Sequence, residues 1–345
     1  MALDIYTPAV LNRVVDDLKD DPLVGTHLVN RYFSEVSQSL QEEVYFDVLT
    51  EKPRLAPFCS PLVEGQIVRS QGYATKSFRP AYIKDKRVLE DGKAVRRRPG
   101  QAIAGPLDPM QTRLLQIAAN SEDQIRMINR RLEWMASTVL RTGQVTISGE
   151  KYPTTVVDFG RDPSLTVTLS GGALWSDPGA DPLEDLEDWS SLIRGVSGAR
   201  AAEVHMADNV WRAFRKNEGV KELLQDNRYS PGSALELGAQ SAKLGATYKG
   251  TIGDFQIWIY ADSYVDDAGV TRKYLPDDYL LLVSPDLEGV RHFGVIKDEE
   301  CGFQVRDYFQ KSWTQPDPAV RYMLMQSAPI VVPYRINATL SAKVL

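Results

Sequence analysis

Several short constellations in this 345-residue chain have residue types that could do chemistry, and spacing decides each case. Gly100-Gln-Ala-Ile-Ala-Gly105 has the glycine spacing of a phosphate loop. Pro106-Leu107 follows where a Lys and a Ser or Thr must reach the phosphates and a magnesium ion, so the loop is rejected. Gly195-Val-Ser-Gly198 and Ser230-Pro-Gly-Ser233 do not form a nucleophile elbow, and no His is placed to serve Ser197. The carboxylate pairs Asp16/Asp17, Asp20/Asp21, Asp266/Asp267 and Asp277/Asp278 lie beside helix or turn signals, where caps and solvated faces explain them. His27, His205 and His292 are far apart and fall in no metal-ligand spacing. His205, at the end of an apolar run, reads as a satisfied residue at a strand end. Cys59 and Cys301 form no C-x-x-C pair, which argues against structural zinc and fits a reducing compartment with buried thiols. No catalytic, cofactor-binding or metal-ligating set emerges, so no cofactor is expected and the chain does not read as an enzyme.

Charge leaves two clusters to explain. The whole chain is acidic, with 40 Lys and Arg against 46 Asp and Glu. That balance argues against a protein coating DNA over its entire surface. Locally, Lys84, Lys86, Arg87, Lys93, Arg96, Arg97 and Arg98 face only Asp85, Glu90 and Asp91 within a basic loop. A nucleic-acid groove would interleave aromatics for stacking, and Tyr82 stands alone at its edge. Asp177, Asp181, Glu184, Asp185, Glu187 and Asp188 form an acidic stretch without a base. Complementary surfaces between copies would use both clusters; two solvated stretches would leave both without a role. No apolar run approaches the ~20 residues of a membrane helix, and the N-terminus does not read as a secretory signal.

The positioning elements follow from periodicity. Length and a 43% hydrophobic content suggest globular structure in about two domains. Val10, Val14 and Leu18 share a helical face, a short amphipathic stretch follows at 28–36, and Val44, Phe46 and Val48 alternate as in a strand. These pieces read as an arm packed on something else. Residues 51–108 are broken by Pro and Gly and have too few apolar residues for a core, which suggests a two-stranded excursion resting on a neighbour. Asp108 as N-cap, Pro109 at the first helical position and Gly143 as the stop bracket one long helix. Its apolar stripe is Leu114, Ala118, Ser121, Ile125, Ile128, Leu132, Met135 and Val139, with Glu133 among residues placed largely on other faces. A coiled coil and a helix lying across a sheet both fit, and the narrow stripe with Ser121 in it favours the sheet. Three β-rich runs, at 143–149, 154–160 and 165–170, then read as an antiparallel meander. Residues 176–310 read as mixed α/β, with helices near 183–194 and 207–216 and strands at 201–206, 255–260 and 278–285. The tail adds a long strand that Pro329 and Pro333 break or place at an edge.

Taken in order, these residues resemble the lambda-type tailed-phage major capsid proteins, the capsid protein E family. The resemblance runs nearly end to end. It rests on Ser60-Pro-Leu-Val-Glu-Gly-Gln-Ile-Val-Arg-Ser70, Phe78-Arg-Pro-Ala-Tyr-Ile-Lys84, the long helix and its exit to Gly149-Glu150, and Val157-Asp-Phe-Gly-Arg161. Ser170-Gly-Gly-Ala-Leu-Trp175, Tyr248-Lys-Gly250, Tyr274-Leu-Pro-Asp277, Trp313, Asp317-Pro-Ala319 and Met325-Gln-Ser-Ala-Pro329 continue it. It implies the α+β, HK97-type capsid fold: an N-terminal arm (1–50), an extended loop (51–108), a peripheral domain with the spine helix (109–175), an axial domain (176–310) and a C-terminal return to the peripheral domain (311–345).

The implied function is a structural subunit that self-assembles as hexamers and pentamers into an icosahedral head. Such a head encloses double-stranded DNA without sequence-specific binding and expands on maturation. The implied partners are a portal, a scaffold and a decoration protein, with no membrane, and the implied place is the virion, assembled in the host cytoplasm. Lys84, Lys86, Arg87, Arg96, Arg97 and Arg98 are expected to meet Asp177, Asp181, Glu184 and Asp185 of a neighbouring copy. The competing reading is a DNA-binding or packaging accessory protein using residues 84–98.

Overall fold

The computed structural model describes residues 6–19, 26–40, 43–49, 73–89, 109–149, 152–221, 245–317 and 320–345. The chain begins with helices α1 (Pro8–Lys19) and α2 (His27–Tyr32) and strands β1 (Glu35–Gln38), β2 (Val44–Leu49), β3 (Tyr73–Phe78) and β4 (Ile83–Leu89). Helix α3 (Pro109–Thr142) follows, then β5 (Gln144–Gly149), β6 (Tyr152–Asp158) and β7 (Thr166–Thr168). Next come α4 (Pro182–Ser197), β8 (Glu203–Met206), α5 (Asp208–Phe214), β9 (Ala246–Ile252), β10 (Phe255–Tyr260), β11 (Ser263–Val265) and β12 (Thr271–Lys273). The last strands are β13 (Tyr279–Val283), β14 (Gly289–Phe293), β15 (Phe309–Gln315), β16 (Val320–Ser327), β17 (Pro329–Pro333) and β18 (Thr339–Lys343).

Helix α3 is the spine. Its 34 residues extend for about 51 Å at a rise of 1.5 Å each. It packs along β16, β17 and β18 and under α1 and α2, so the helix does lie across strands. The stripe from Ser121 to Val139 is buried as the spacing requires. At the N-terminal end the face rotates: Leu114 is exposed, and Thr112, Arg113 and Ile117 are buried instead. Steps alternating between four and three assume a 3.5-residue period, which drifts about 20° per heptad on a straight α-helix. At the other end Glu133 is buried, against expectation, because packing there surrounds the helix. The N-cap expected at Asp108 lies outside the described residues.

The largest sheet has the strand order β7-β18-β13-β8-β10-β9. Its centre is covered on both faces, and Leu280, Leu281, Leu282 and Val283 are fully buried. The expected meander therefore stops after two strands. β5 and β6 form an antiparallel hairpin, whereas β7 runs parallel to β18 in the large sheet. Alternation in a sequence identifies a strand and its faces but carries no information about its partner. The last strand, β18, pairs with β13 of the 176–310 segment, so the expected boundary at 310/311 passes between hydrogen-bonded strands of one sheet, which β7 joins through β18.

The remaining sheets carry the arm and the excursion. β1 lies parallel to β14, which pairs with β17 at the opposite edge; Pro329 and Pro333 stand at the two ends of β17. β2 and β3 form a hairpin. β4 pairs with β16, itself paired to β15. The first half of the expected basic loop is thus a strand. Helix α1 seats Leu11 against Leu89, Ile117 and Met323, and Val15 against Ile125, Ile128 and Met325. Its buried face is centred on Leu11 and Val15, one position on from Val10 and Val14.

Candidate functional site

Strand β4 separates its basic residues by side. Lys84, Lys86 and Val88 are exposed on one face, while Asp85 and Arg87 are half-buried and Leu89 is buried on the other. Opposite residues of an antiparallel pair share a face. Lys86 and Val88 therefore look out beside Leu324 and Tyr322 of β16, and Tyr322 faces Trp313 of β15. The Tyr322 and Trp313 ring centroids are 5.6 Å apart. The Lys86 ammonium sits 3.9 Å from the Tyr322 centroid and 5.3 Å from that of Trp313. Lys84 lies 5.6 Å from the Tyr82 ring. The aromatics missing from the basic run in sequence are brought to it across the sheet.

Arg87 points inward and is spent within the chain. Its Nε donates to Asp85 at 2.9 Å, and Nη1 donates to Asp123 on α3 at 2.7 Å. Burial opposes its charge, but the bonds to Asp123 and Asp85 outweigh burial and hold its pKa above the usual arginine range. Beneath it lies a buried polar network. Gln124 Nε2 donates to the Asp85 carbonyl at 2.9 Å, Gln310 Nε2 donates to Gln124 Oε1 at 3.0 Å, and Ser121 Oγ donates to Gln310 Oε1 at 3.0 Å. Asn12 of α1 completes the network, accepting from Gln310 N at 2.9 Å and donating to Gln310 O at 3.1 Å. Arg96, Arg97 and Arg98 lie outside the described residues.

The acidic stretch begins α4, and three of its four expected contact residues have local structural work. Asp177 Oδ1 accepts from Gly179 N at 2.9 Å. Asp181 is the N-cap, accepting from Leu183 N at 3.0 Å and Glu184 N at 3.2 Å. Asp185 accepts from Trp175 Nε1 at 2.8 Å, while Trp175 stacks on Trp189. Burial raises the Asp185 pKa, and neighbouring Asp181 and Asp188 push it further the same way. Glu184, Glu187 and Asp188 are exposed on the same helix. Among the described residues no ion pair joins the basic and acidic sets within the chain.

A third cluster has no signal in sequence, because it is assembled from four elements. Helix α2 is gripped at its start by Glu133 of α3, whose carboxylate accepts from Leu28 N at 2.9 Å, Val29 N at 3.0 Å and Tyr260 Oη at 2.6 Å. Burial raises the Glu133 pKa against these bonds. At its end, Arg31 donates to Glu203 of β8 through Nε and, at 2.6 Å, through Nη2, and it lies 4.5 Å from the Trp258 ring. Tyr32 donates its hydroxyl to Glu203 and lies 2.5 Å from His205 Nε2. With the hydroxyl proton on Glu203, His205 carries its own proton on Nε2 and donates. His205 Nε2 is thus satisfied by a side chain of the arm, whereas its buried Nδ1 has no hydrogen-bond partner among the described residues, so the expectation of a satisfied histidine holds for one ring nitrogen only. His27 packs against His205 and Trp258, and burial lowers its pKa to about 4. The chain closes over α2 at Gly289, where a Cβ would stand 2.2 Å from Tyr32 O.

The recognisable motifs sit at junctions. Phe159 N donates to Gly143 O at 3.0 Å and Arg161 Nη1 to Leu140 O at 2.8 Å, so the 157–161 motif closes the C-terminus of the spine helix. Tyr274 O accepts from Ser137 Oγ at 2.7 Å, fixing the 274–277 motif to the same helix. Ser327 Oγ donates to Asp307 O at 2.6 Å in the 325–329 motif. The 60–70 motif lies outside the described residues.

Known proteins share this arrangement of sequence and fold. Residues 8–344 match the family described as phage major capsid protein E. The major capsid protein of Escherichia phage lambda is 30% identical over 338 residues, 96% of each chain. That of Enterobacteria phage P21 is 31% identical over 298 residues, covering 84% of this chain and 86% of its own. The crystal structure of a putative capsid protein from a prophage of E. coli CFT073 superposes with a TM-score of 0.77 at 24% identity, covering 98% of this chain and 99% of that one. The fold is the α+β, HK97-type capsid fold, and the chain belongs to the phage major capsid protein E family.

Proposed function

We propose that this capsid protein assembles as hexamers and pentamers into an icosahedral head that encloses a double-stranded DNA genome and expands on maturation. Assembly takes place in the host cytoplasm, with a scaffold, a portal and a decoration protein as partners, and DNA is enclosed without sequence-specific contacts. The observation that carries this reading is the match to the capsid family over residues 8–344. Residues 1–50 serve as the arm, 51–108 as the extended loop and 109–175 as the peripheral domain, with 176–310 as the axial domain. β15 and β16 belong with the peripheral part, and β18 goes with the axial sheet in which it pairs.

The role is structural rather than catalytic. The acidic pairs that a hydrolase would use are tied into turns: Asp266 accepts from Val270 N at 2.8 Å and Arg272 Nε at 2.6 Å, and Asp277 pairs with Lys273. Contacts between copies in a closed ring are heterologous, so two different and complementary surfaces must coexist on one chain. The strand face bearing Lys84 and Lys86 and the acidic start of α4 are such a pair, and Arg96, Arg97 and Arg98 add to the basic side.

The test is negative-stain microscopy of the full chain co-expressed with scaffold candidates. Closed shells or tubes support the reading. Dispersed monomers that bind DNA with a steep salt dependence overturn it in favour of a packaging accessory.

A further inference from the structure

We propose that the β4–β16–β15 face carrying Lys84 and Lys86 docks on the exposed Glu184, Glu187 and Asp188 face of α4 in a second copy of this chain. The inference rests on the shell reading above and narrows its contact to particular residues.

Three observations select these residues. First, the free charges differ from the sequence clusters. Arg87 is engaged by Asp85 and Asp123, Asp181 caps its helix and Asp185 holds Trp175. Lys84 and Lys86 remain on one side, and Glu184, Glu187 and Asp188 on the other, with no ion pair to any described residue. Second, the acidic face is unbalanced in its own helix. Glu184 and Asp188 stand four apart and Glu184 and Glu187 three apart, spacings at which like charges repel. The first basic residue of α4 is Arg194, in its last turn. Third, the lysines are held ready. Lys86 lies over the Tyr322 and Trp313 rings, which restrict its side chain without neutralising its charge. Less side-chain freedom is then lost when a carboxylate arrives.

The patches belong to different sheets, since β4 pairs in the three-stranded sheet and α4 packs beside β18 of the six-stranded one. A two-fold contact would have to bring both basic–acidic pairs together at once about a single axis. Head-to-tail contact sets each basic face on the next copy's acidic helix and can close a ring.

The experiment uses the full chain in two forms, K84E/K86E and E184K/E187K/D188K, each checked for an unchanged circular dichroism spectrum and melting temperature. The substitutions are at exposed positions, and the neutral pairs K84Q/K86Q and E187Q/D188Q repeat the test with less repulsion. Each charge-reversed form alone should need about tenfold more protein to assemble, in line with exposed ion pairs of modest strength. Mixed one to one, the two forms alternate around a six-membered ring with every contact restored, so hexamers and the tubes built from them should return, while a five-membered ring keeps one mismatched contact. Assembly of either form at the wild-type concentration, or a mixture no better than its parts, overturns the inference. Wild-type protein that forms no particles fails the shell reading itself, which keeps the two failures distinct.

Discussion

Replacing Glu133 by Gln should loosen one amide of α2 more than its neighbour. Glu133 Oε1 takes Leu28 N and Tyr260 Oη, and Oε2 takes Val29 N. A glutamine that keeps its oxygen at the first position retains two of these bonds. Its NH2 group then faces the Val29 N–H, donor against donor. The flipped amide would lose two bonds instead of one, so the first orientation wins. An orphaned buried amide costs about 2 kcal/mol. Relief of the buried charge works the other way, since burial has already raised the carboxyl pKa. A net of about 1.4 kcal/mol corresponds to roughly tenfold faster local exchange. The assay is hydrogen exchange resolved to single amides by electron-transfer fragmentation, at neutral pH. Val29 should exchange roughly tenfold faster in E133Q, with Leu28 changed less. Glu133→Ala should release both. Unchanged exchange at Val29, or equal acceleration at both amides in E133Q, would refute the hydrogen-bond assignment.

Two further outcomes follow from the buried polar groups. The seat of α2 should weaken in acid. Burial holds His27 at about pH 4 in the folded chain against an ordinary value of 6.5, with Arg31 lowering it further and Glu203 opposing. The released state therefore binds more protons in that window, and stability is full above pH 6.5 and lost as pH falls. Release should rise about tenfold per pH unit from His27 alone, and His205, lowered by burial and by His27, adds to this. Exchange at residues 27–33, corrected for intrinsic rates, should be flat above pH 6.5 and accelerate below it, and less steeply in H27N. Separately, Asn12→Ala leaves Gln310 N and O without their partners between α1 and β15, costing about 2 kcal/mol. Trypsin should then cut at Arg13 and Lys19 faster than in the wild type, with the remaining fragment intact.

The sequence was most legible where one element sets its own pattern. The spine helix showed its length and most of its buried stripe because each turn repeats the last. Glu133 escaped, since its partners come from α2 and β10, and a lone Glu among charged residues looks solvated. β4 read as loop for a related reason. Its inward positions are Asp85 and Arg87, which satisfy each other and Asp123, so no apolar alternation marks the strand. Trp313 and Tyr322 joined the basic face only through strand pairing with a distant segment. β7 alternates as a strand in the sequence, but its neighbour is β18 rather than β6, because pairing is decided by the core. The motifs carrying the family resemblance mark places where several elements meet, such as the spine helix closed by Phe159 and Arg161.

The central claim is that this chain is a shell subunit, and sedimentation velocity tests it most directly. The full-length protein, purified after co-expression with scaffold candidates, should sediment as a discrete large particle alongside hexamers or pentamers. A single slow species of monomer size, unchanged by scaffold and by concentration, would contradict the account.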